Sequence, residues 1–140
     1  MINFRLDENS VDDLLALTKG EFPITREEAL AICSSVHPTM PCTRVYGCYH
    51  NGTELVAIMT ATYSIVFPHA DGSRIVHISG AYTRPDMRHK GLATTLLEAI
   101  ESDARDYFHA DYLCCDSIAD KFYEKNGYRL AQESRLWKKI

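Results

Sequence analysis

The stretch from Gly91 to Phe108 constrains this chain more than any other. Ala93, Leu96, Leu97, Ile100, Ala104, Tyr107 and Phe108 recur at spacings of three and four, which makes one apolar stripe along an α-helix. Thr94, Thr95, Glu98, Glu101, Ser102 and Arg105 fill the other face, with Glu101 and Arg105 spaced for an i,i+4 ion pair. A helix with one apolar stripe must lay it on something. Arg74 to Thr83 before it and Tyr112 to Cys115 after it both read as strands. Strand, long helix, strand is a crossover unit, and a crossover unit requires a sheet with a parallel pair in it.

The rest of the chain supplies the sheet and its other helices. Ile2 to Leu6 reads as a short strand. Asn9 or Ser10 is expected to cap a helix reaching about Lys19, and Gly20 and Pro23 break it. Thr25 and Glu28 form a capping box that opens a second helix. After a loop at His37–Pro41, Thr43 to Tyr49 and Glu54 to Val66 read as two strands flanking Asn51-Gly52, the strongest short hairpin signal. In the second of them Leu55, Ala57, Met59, Ala61, Tyr63 and Ile65 fall on one face. Ser117 is expected to cap a helix over Ile118–Asn126 that Gly127 stops, with strand material at Tyr128–Leu130 and Ser134–Lys138. The expected fold class is α/β (α+β): a single domain over residues 1–140, with a mixed, mostly antiparallel sheet flanked by helices.

Composition narrows the function classes. Hydrophobic residues make up 46% and charged residues 24%, which excludes a disordered chain. No apolar run approaches the ~20 residues needed to span a bilayer, and the N-terminus lacks the pattern of a signal peptide. A net charge of −4 argues against general nucleic-acid or anionic-membrane binding. The five cysteines, odd in number and without a C-x-x-C, read as reduced thiols of a cytoplasmic protein. His37, Cys42, Cys48 and His50 cluster in sequence, yet their spacing matches no zinc pattern, so no metal is expected.

Locally the charge is different. Arg84, Arg88, His89 and Lys90 crowd the step from a strand into the long helix. A helix N-terminus presents unsatisfied N–H groups and the positive end of the dipole, so a basic loop feeding it makes an anion site. Gly91 lets a phosphate approach the backbone closely. Neither G-x-x-x-x-G-K-[ST] nor G-x-G-x-x-G is present, which excludes a P-loop and a dinucleotide fingerprint.

Arg88-His89-Lys90-Gly91-Leu92-Ala93 resembles the R/Q-x-x-G-x-G/A motif of the GNAT superfamily of N-acetyltransferases. Asp116, Ala119, Phe122, Tyr123, Lys125, Gly127 and Tyr128 look like the second motif of that family, about thirty residues on, in the family's order. The resemblance implies acetyl-coenzyme A (acetyl-CoA) as co-substrate. Its pyrophosphate would lie on the backbone of Arg88, His89, Lys90, Gly91, Leu92 and Ala93, with Thr94 at the edge. Its pantetheine arm would pair with Ala81, Tyr82 and Thr83 like an added strand. Gly80 suits such a strand, since a glycine inside one marks a bulge or a close approach of another backbone.

Acetyl transfer to an amine needs the amine neutral, the carbonyl oxygen stabilised and a proton for the departing thiolate. By position Tyr123 matches the tyrosine that protonates the leaving sulfur in several members of the family. His77 is the candidate base, since an imidazole ordinarily titrates near ~6.5. Arylalkylamine N-acetyltransferases carry two histidines at the matching strand positions. Here the first is His77 and the second is Ser79. Asp116 stands where an asparagine is common and is assigned to the cofactor site. Thr60, Thr62, Tyr63, Phe67 and His69 are expected on the acceptor side. The expected acceptor is a small-molecule amine, with a homodimer left open. A non-catalytic acetyl-CoA-binding module and a protein lysine or N-terminal acetyltransferase are the alternatives.

Overall fold

The computed structural model describes residues 2–21, 23–33, 42–65, 74–116, 120–130 and 135–139. Strand β1 (Ile2–Arg5) is followed by a short 3₁₀ turn and helix α1 (Val11–Thr18), then α2 (Arg26–Cys33). Strands β2 (Cys42–His50), β3 (Glu54–Ile65) and β4 (Arg74–Thr83) form the antiparallel meander. Helix α3 (Leu92–Asp106) crosses over to β5 (Tyr112–Asp116), and α4 (Asp120–Lys125), β6 (Arg129–Leu130) and β7 (Arg135–Lys139) complete the chain. The seven strands among the described residues join one sheet in the order β1-β2-β3-β4-β5-β7-β6. Among the described residues only β4 and β5 run parallel, as the crossover requires. The mixed, mostly antiparallel sheet is therefore the one the sequence predicts.

Two apolar clusters sandwich it. Helix α3 sets Leu92, Leu96, Leu97, Ile100 and Ala104 against Tyr46, Met59, Ala61, Val76, Ile78 and Leu113. Leu14 and Leu17 of α1 and Ala29 and Cys33 of α2 pack with Val45, Tyr49, Leu55 and Ile58. Neighbours such as Val45 and Tyr46, or Ile58 and Met59, fall in different clusters. Alternation along a strand thus puts the two clusters on opposite faces. Each fully buried large side chain contributes about 1.5–3 kcal/mol, so the two layers are the main source of stability.

Several details depart from expectation, among them Glu101, which the spacing puts on the polar face of α3 and the structure buries. Ser10 stands at the N-cap of α1, but its side chain makes no capping bond to that helix; it closes instead the capping box of the preceding 3₁₀ turn, whose N-cap Asp7 accepts the Asn9 N–H at 2.9 Å. Leu55 faces the α1–α2 layer rather than sharing a face with Ala57. The register skips a β3 residue between Leu55 and Ala57, opposite Tyr49 and Cys48, and an extra residue reverses the alternation. Tyr107 is 82% exposed because α3 ends at Asp106 and the following residue leaves the stripe.

The capping box at Thr25 forms as expected. Its N–H donates to Glu28 Oε1 at 2.9 Å, and the Glu28 N–H donates to Thr25 Oγ1 at 3.1 Å. The Thr25 N–H, with the Thr25 side chain second, holds the Glu28 carboxyl below the usual carboxylate range. A depressed folded-state pKa adds stability above the unfolded value, ~4.3, that is lost as pH falls through the folded one. Urea denaturation of the parent and Glu28→Gln should therefore differ most near neutral pH and converge in acid. A difference that holds down to about pH 2 would remove the carboxylate from the cap.

Candidate functional site

The ladder between β4 and β5 runs from Ile75↔Tyr112 to Ile78↔Cys115 and stops there, while β4 continues to Thr83. The two strands part at that point. On the β3 side the register skips one β4 residue between Ser79↔Thr60 and Tyr82↔Ile58, so the bulge lies at Gly80 and Ala81. Gly80 adopts φ +61°, and a Cβ there would meet Thr60 Oγ1 at 3.2 Å. Both the dihedral and the close approach call for glycine. Gly80 and Ala81 are exposed where the strands diverge.

The next turn leads directly into α3. Arg84 to Met87 make a 3₁₀ turn with Met87 buried as its anchor. His89 and Gly91 then take positive φ, +62° and +79°. Such left-handed positions curl the chain so that backbone N–H groups line a concavity suited to an anion. Gly91 is the N-cap of α3 and brings no side chain to cap it. Leu92, Ala93 and Thr94 place no acid in the first turn. The helix thus offers its N-terminal N–H groups outward, with Leu92 buried beneath and His89 and Lys90 exposed beside it.

The basic side chains of this loop divide into two kinds. Arg84 is held by Asp86 at 2.6 Å and Glu54 at 3.1 Å. Arg84 in turn holds the Asp86 carboxyl below its usual range. Arg88 donates from Nε to the Thr83 carbonyl at 2.9 Å, bridges to Glu21 at 3.1 Å and lies 5.6 Å from the Tyr82 ring centroid. Arg84 braces the loop against β3, and Arg88 braces it against the end of β4. His89 and Lys90 lie exposed beside the start of α3.

The candidate acid and base stand on different faces. His77 alternates with Val76 and Ile78, which belong to the α3 cluster, so its side chain points to the other face. There it is level with Thr62 and two residues from Ser79, itself opposite Thr60. Thr43 and Thr62 share a hydrogen bond at 3.1 Å in the same polar patch. Tyr63 is not part of it; it packs on the α3 side against Phe108, ring centroids 5.3 Å apart, and bonds the Tyr46 hydroxyl. Tyr123 is buried in the α3 cluster, edge-on to Tyr128 at 5.5 Å and to Phe122 at 5.0 Å. Asp116 is the last residue of β5, in register with Arg135. Phe67, His69, His37 and Ser117 lie outside the described residues. Among the described residues no cluster of His, Cys, Asp or Glu could hold a metal, and no helix is long and apolar enough to cross a membrane.

Parted strands that meet an open helix N-terminus make a site built mainly of backbone. The family model described as an acetyltransferase (GNAT) domain matches residues 42–130, well over half of the chain. The chain belongs to the GNAT acetyltransferase family. A Trypanosoma brucei acetyltransferase superposes with a TM-score of 0.74 at 21% identity, covering 94% of each chain. Arabidopsis thaliana NAA60, solved with a bisubstrate analogue, gives 0.76 at 10% identity over 99% of this chain and 97% of its own. A ribosomal-protein-alanine N-acetyltransferase from Brucella melitensis gives 0.74 at 17% identity over 96% of both. Arabidopsis NAA60 has also been solved with acetyl-CoA. Curated protein sequences give no match. At these identities the structural likeness is one of fold.

Gly91 offers a direct test of the loop geometry. A Cβ there would meet nothing within 4 Å, so the cost of a side chain is conformational. At φ +79° an L-residue costs about 1–2 kcal/mol. Gly91→Ala should lose about that much stability in urea denaturation, Gly91→Val more, and Gly91→Asn less, because asparagine tolerates the left-handed region. Equal stability of all four proteins would show that the loop does not hold this conformation.

Proposed function

We propose that this GNAT-family chain transfers the acetyl group of acetyl-CoA to a primary amine of a small molecule, by direct attack in a ternary complex. The observation that carries this reading is the continuity of two backbone surfaces: the parting of β4 from β5 at Gly80 and Ala81, and the open N-terminus of α3 at Gly91–Thr94. The first suits an amide-bearing arm added like a strand, with Ala81, Tyr82 and Thr83 as its partners. The second suits a pyrophosphate held by the backbone of residues 88–94, with His89 and Lys90 beside it. One ligand with an extended amide arm and a pyrophosphate fits both. The assignment of Asp116 to this site rests on its place at the end of β5, where the strands part.

Acetyl-CoA supplies an activated carbonyl and a thiolate leaving group. In our reading His77, on the polar face with Thr60, Thr62 and Ser79, takes the proton of the attacking amine as the C–N bond forms. A backbone N–H at the Gly80–Tyr82 bulge stabilises the developing negative charge on the carbonyl oxygen. Tyr123, on the opposite face, gives its hydroxyl proton to the sulfur as the C–S bond breaks. Solvent then returns a proton to Tyr123 and removes the one on His77. Base and acid on different faces suit a reaction at the gap between the strands, because the attacking nitrogen and the departing sulfur are separate substituents of the tetrahedral carbon and each needs its own proton-transfer group. The acidic net charge of −4 favours a small cationic amine over a polyanionic partner.

Release of free thiol from acetyl-CoA over a panel of amines tests the activity. Acetyl-CoA should raise the Tm of the parent, since a ligand that binds only the folded state stabilises it. Gly91→Val should lose most of that shift. Tyr123→Phe removes only a hydroxyl and should lower kcat by roughly 10²–10⁴-fold with acetyl-CoA affinity changed less than about tenfold. His77→Gln should lower kcat and leave acetyl-CoA binding unchanged. Tight acetyl-CoA binding without thiol release on any amine would make the chain a binding module instead.

A further inference from the structure

Glu101 is the buried acid that this mechanism does not use. Its position in α3 falls four residues after Leu97 and three before Ala104, in phase with the apolar stripe, and it is 8% exposed. A carboxylate in such a place costs several kcal/mol unless it is bonded. Here it accepts a hydrogen bond from the Tyr128 hydroxyl at 3.2 Å. Burial, with Glu101 second, pushes the Tyr128 phenol well above its ordinary range, so Tyr128 is a fixed donor.

Tyr128 is in turn what holds Tyr123. Its backbone N–H donates to the Tyr123 carbonyl at 3.0 Å, and the Gly127 N–H donates to Glu124, closing the C-terminus of α4. Its ring lies edge-on to that of Tyr123, interplanar angle 66°. Phe122 contacts the Tyr123 ring at an angle of 70°. A chain of contacts therefore runs from the middle of α3 through Tyr128 to the phenol that we assign as proton donor.

We propose that Glu101 and Tyr128 are positioning residues, which fix the Tyr123 ring so that its hydroxyl meets the leaving sulfur. The inference rests on the reading of Tyr123 as the acid. Proton transfer is sensitive to placement: a misplacement near 1 Å can cost about 10²-fold. Releasing the Tyr128 hydroxyl frees the ring that backs Tyr123 without touching the β4 edge or the α3 N-terminus. The loss should therefore fall on kcat and spare the KM for acetyl-CoA.

A double-mutant cycle provides the test. Glu101→Leu and Tyr128→Phe should each lower kcat by about tenfold or more with KM for acetyl-CoA within about threefold. Glu101→Gln keeps a carbonyl acceptor at the same reach and should restore kcat to within about threefold of the parent. In a Tyr123→Phe background, Tyr128→Phe should cost no further activity, because there is no hydroxyl left to position. Loss of folding stability alone would act equally in both backgrounds, so equal losses overturn the proposal. Unchanged kcat in Glu101→Leu and Tyr128→Phe also overturns it, as does a Glu101→Gln no better than Glu101→Leu. If Tyr123→Phe itself retains full kcat, the assignment of the acid falls, and this proposal falls with it.

Discussion

Strand β4 is held on both edges only as far as Ile78. Past that residue the chain has to bend away from β5, and the bulge at Gly80 and Ala81 accomplishes this by adding one residue opposite β3. An extra residue sharpens the local twist. The twist swings the end of β4 outward, and the 3₁₀ turn at Pro85–Met87 then delivers the chain to the start of α3. Sheet edge and helix terminus are neighbours because so few residues separate them. A site built this way consists mainly of backbone, so its chemistry depends on dihedrals and register more than on side-chain identity.

The two faces of the sheet carry different burdens. The α3 face is apolar and tightly filled, and its polar groups come in satisfied sets. Tyr46 bonds both Tyr63 and Asp103, and Tyr128 bonds Glu101. An unpaired polar group at such depth costs about 1–3 kcal/mol, so these sets confine α3 to one placement over the strands. The opposite face, beyond the reach of α1 and α2, turns polar at Thr60, Thr62, His77 and Ser79. The sheet thereby separates a rigid wall from a face able to meet a polar molecule, and the gap between β4 and β5 connects them.

Charge in the Arg84–Gly91 loop acts mainly through shape. The pairs of Arg84 with Glu54 and Asp86 and of Arg88 with Glu21 are exposed enough for solvent to screen them, so they contribute little to stability. Their geometry matters more. Arg88 ties the Thr83 carbonyl to Glu21, and so ties the end of β4 to the segment between α1 and α2. Arg84 fixes the turn to the first residue of β3. Positive φ at His89 and Gly91 persists within a frame that these contacts hold still.

Local signals determined much of this protein in advance. The stripe of α3, the capping box at Thr25 and Glu28, the hairpin at Asn51-Gly52 and the bulge-marking Gly80 are readable because each depends on residues close in sequence. The crossover followed from their order, and the motif at Arg88–Ala93 from residue types within one turn. Tertiary structure alone decided the rest. Glu101 stood on the polar face when Arg105 was its only visible neighbour; its partner, Tyr128, lies 27 residues away. Asp86, Glu54 and Glu21 convert two apparent anion ligands into braces, and no spacing rule links Glu54 to Arg84 or Glu21 to Arg88. The phase of Leu55 hung on one extra residue in β3, which only pairing with β2 exposes. Periodicity reports which way a side chain points within its own element. Which partner it meets there is set by the register and packing of elements far apart in the chain.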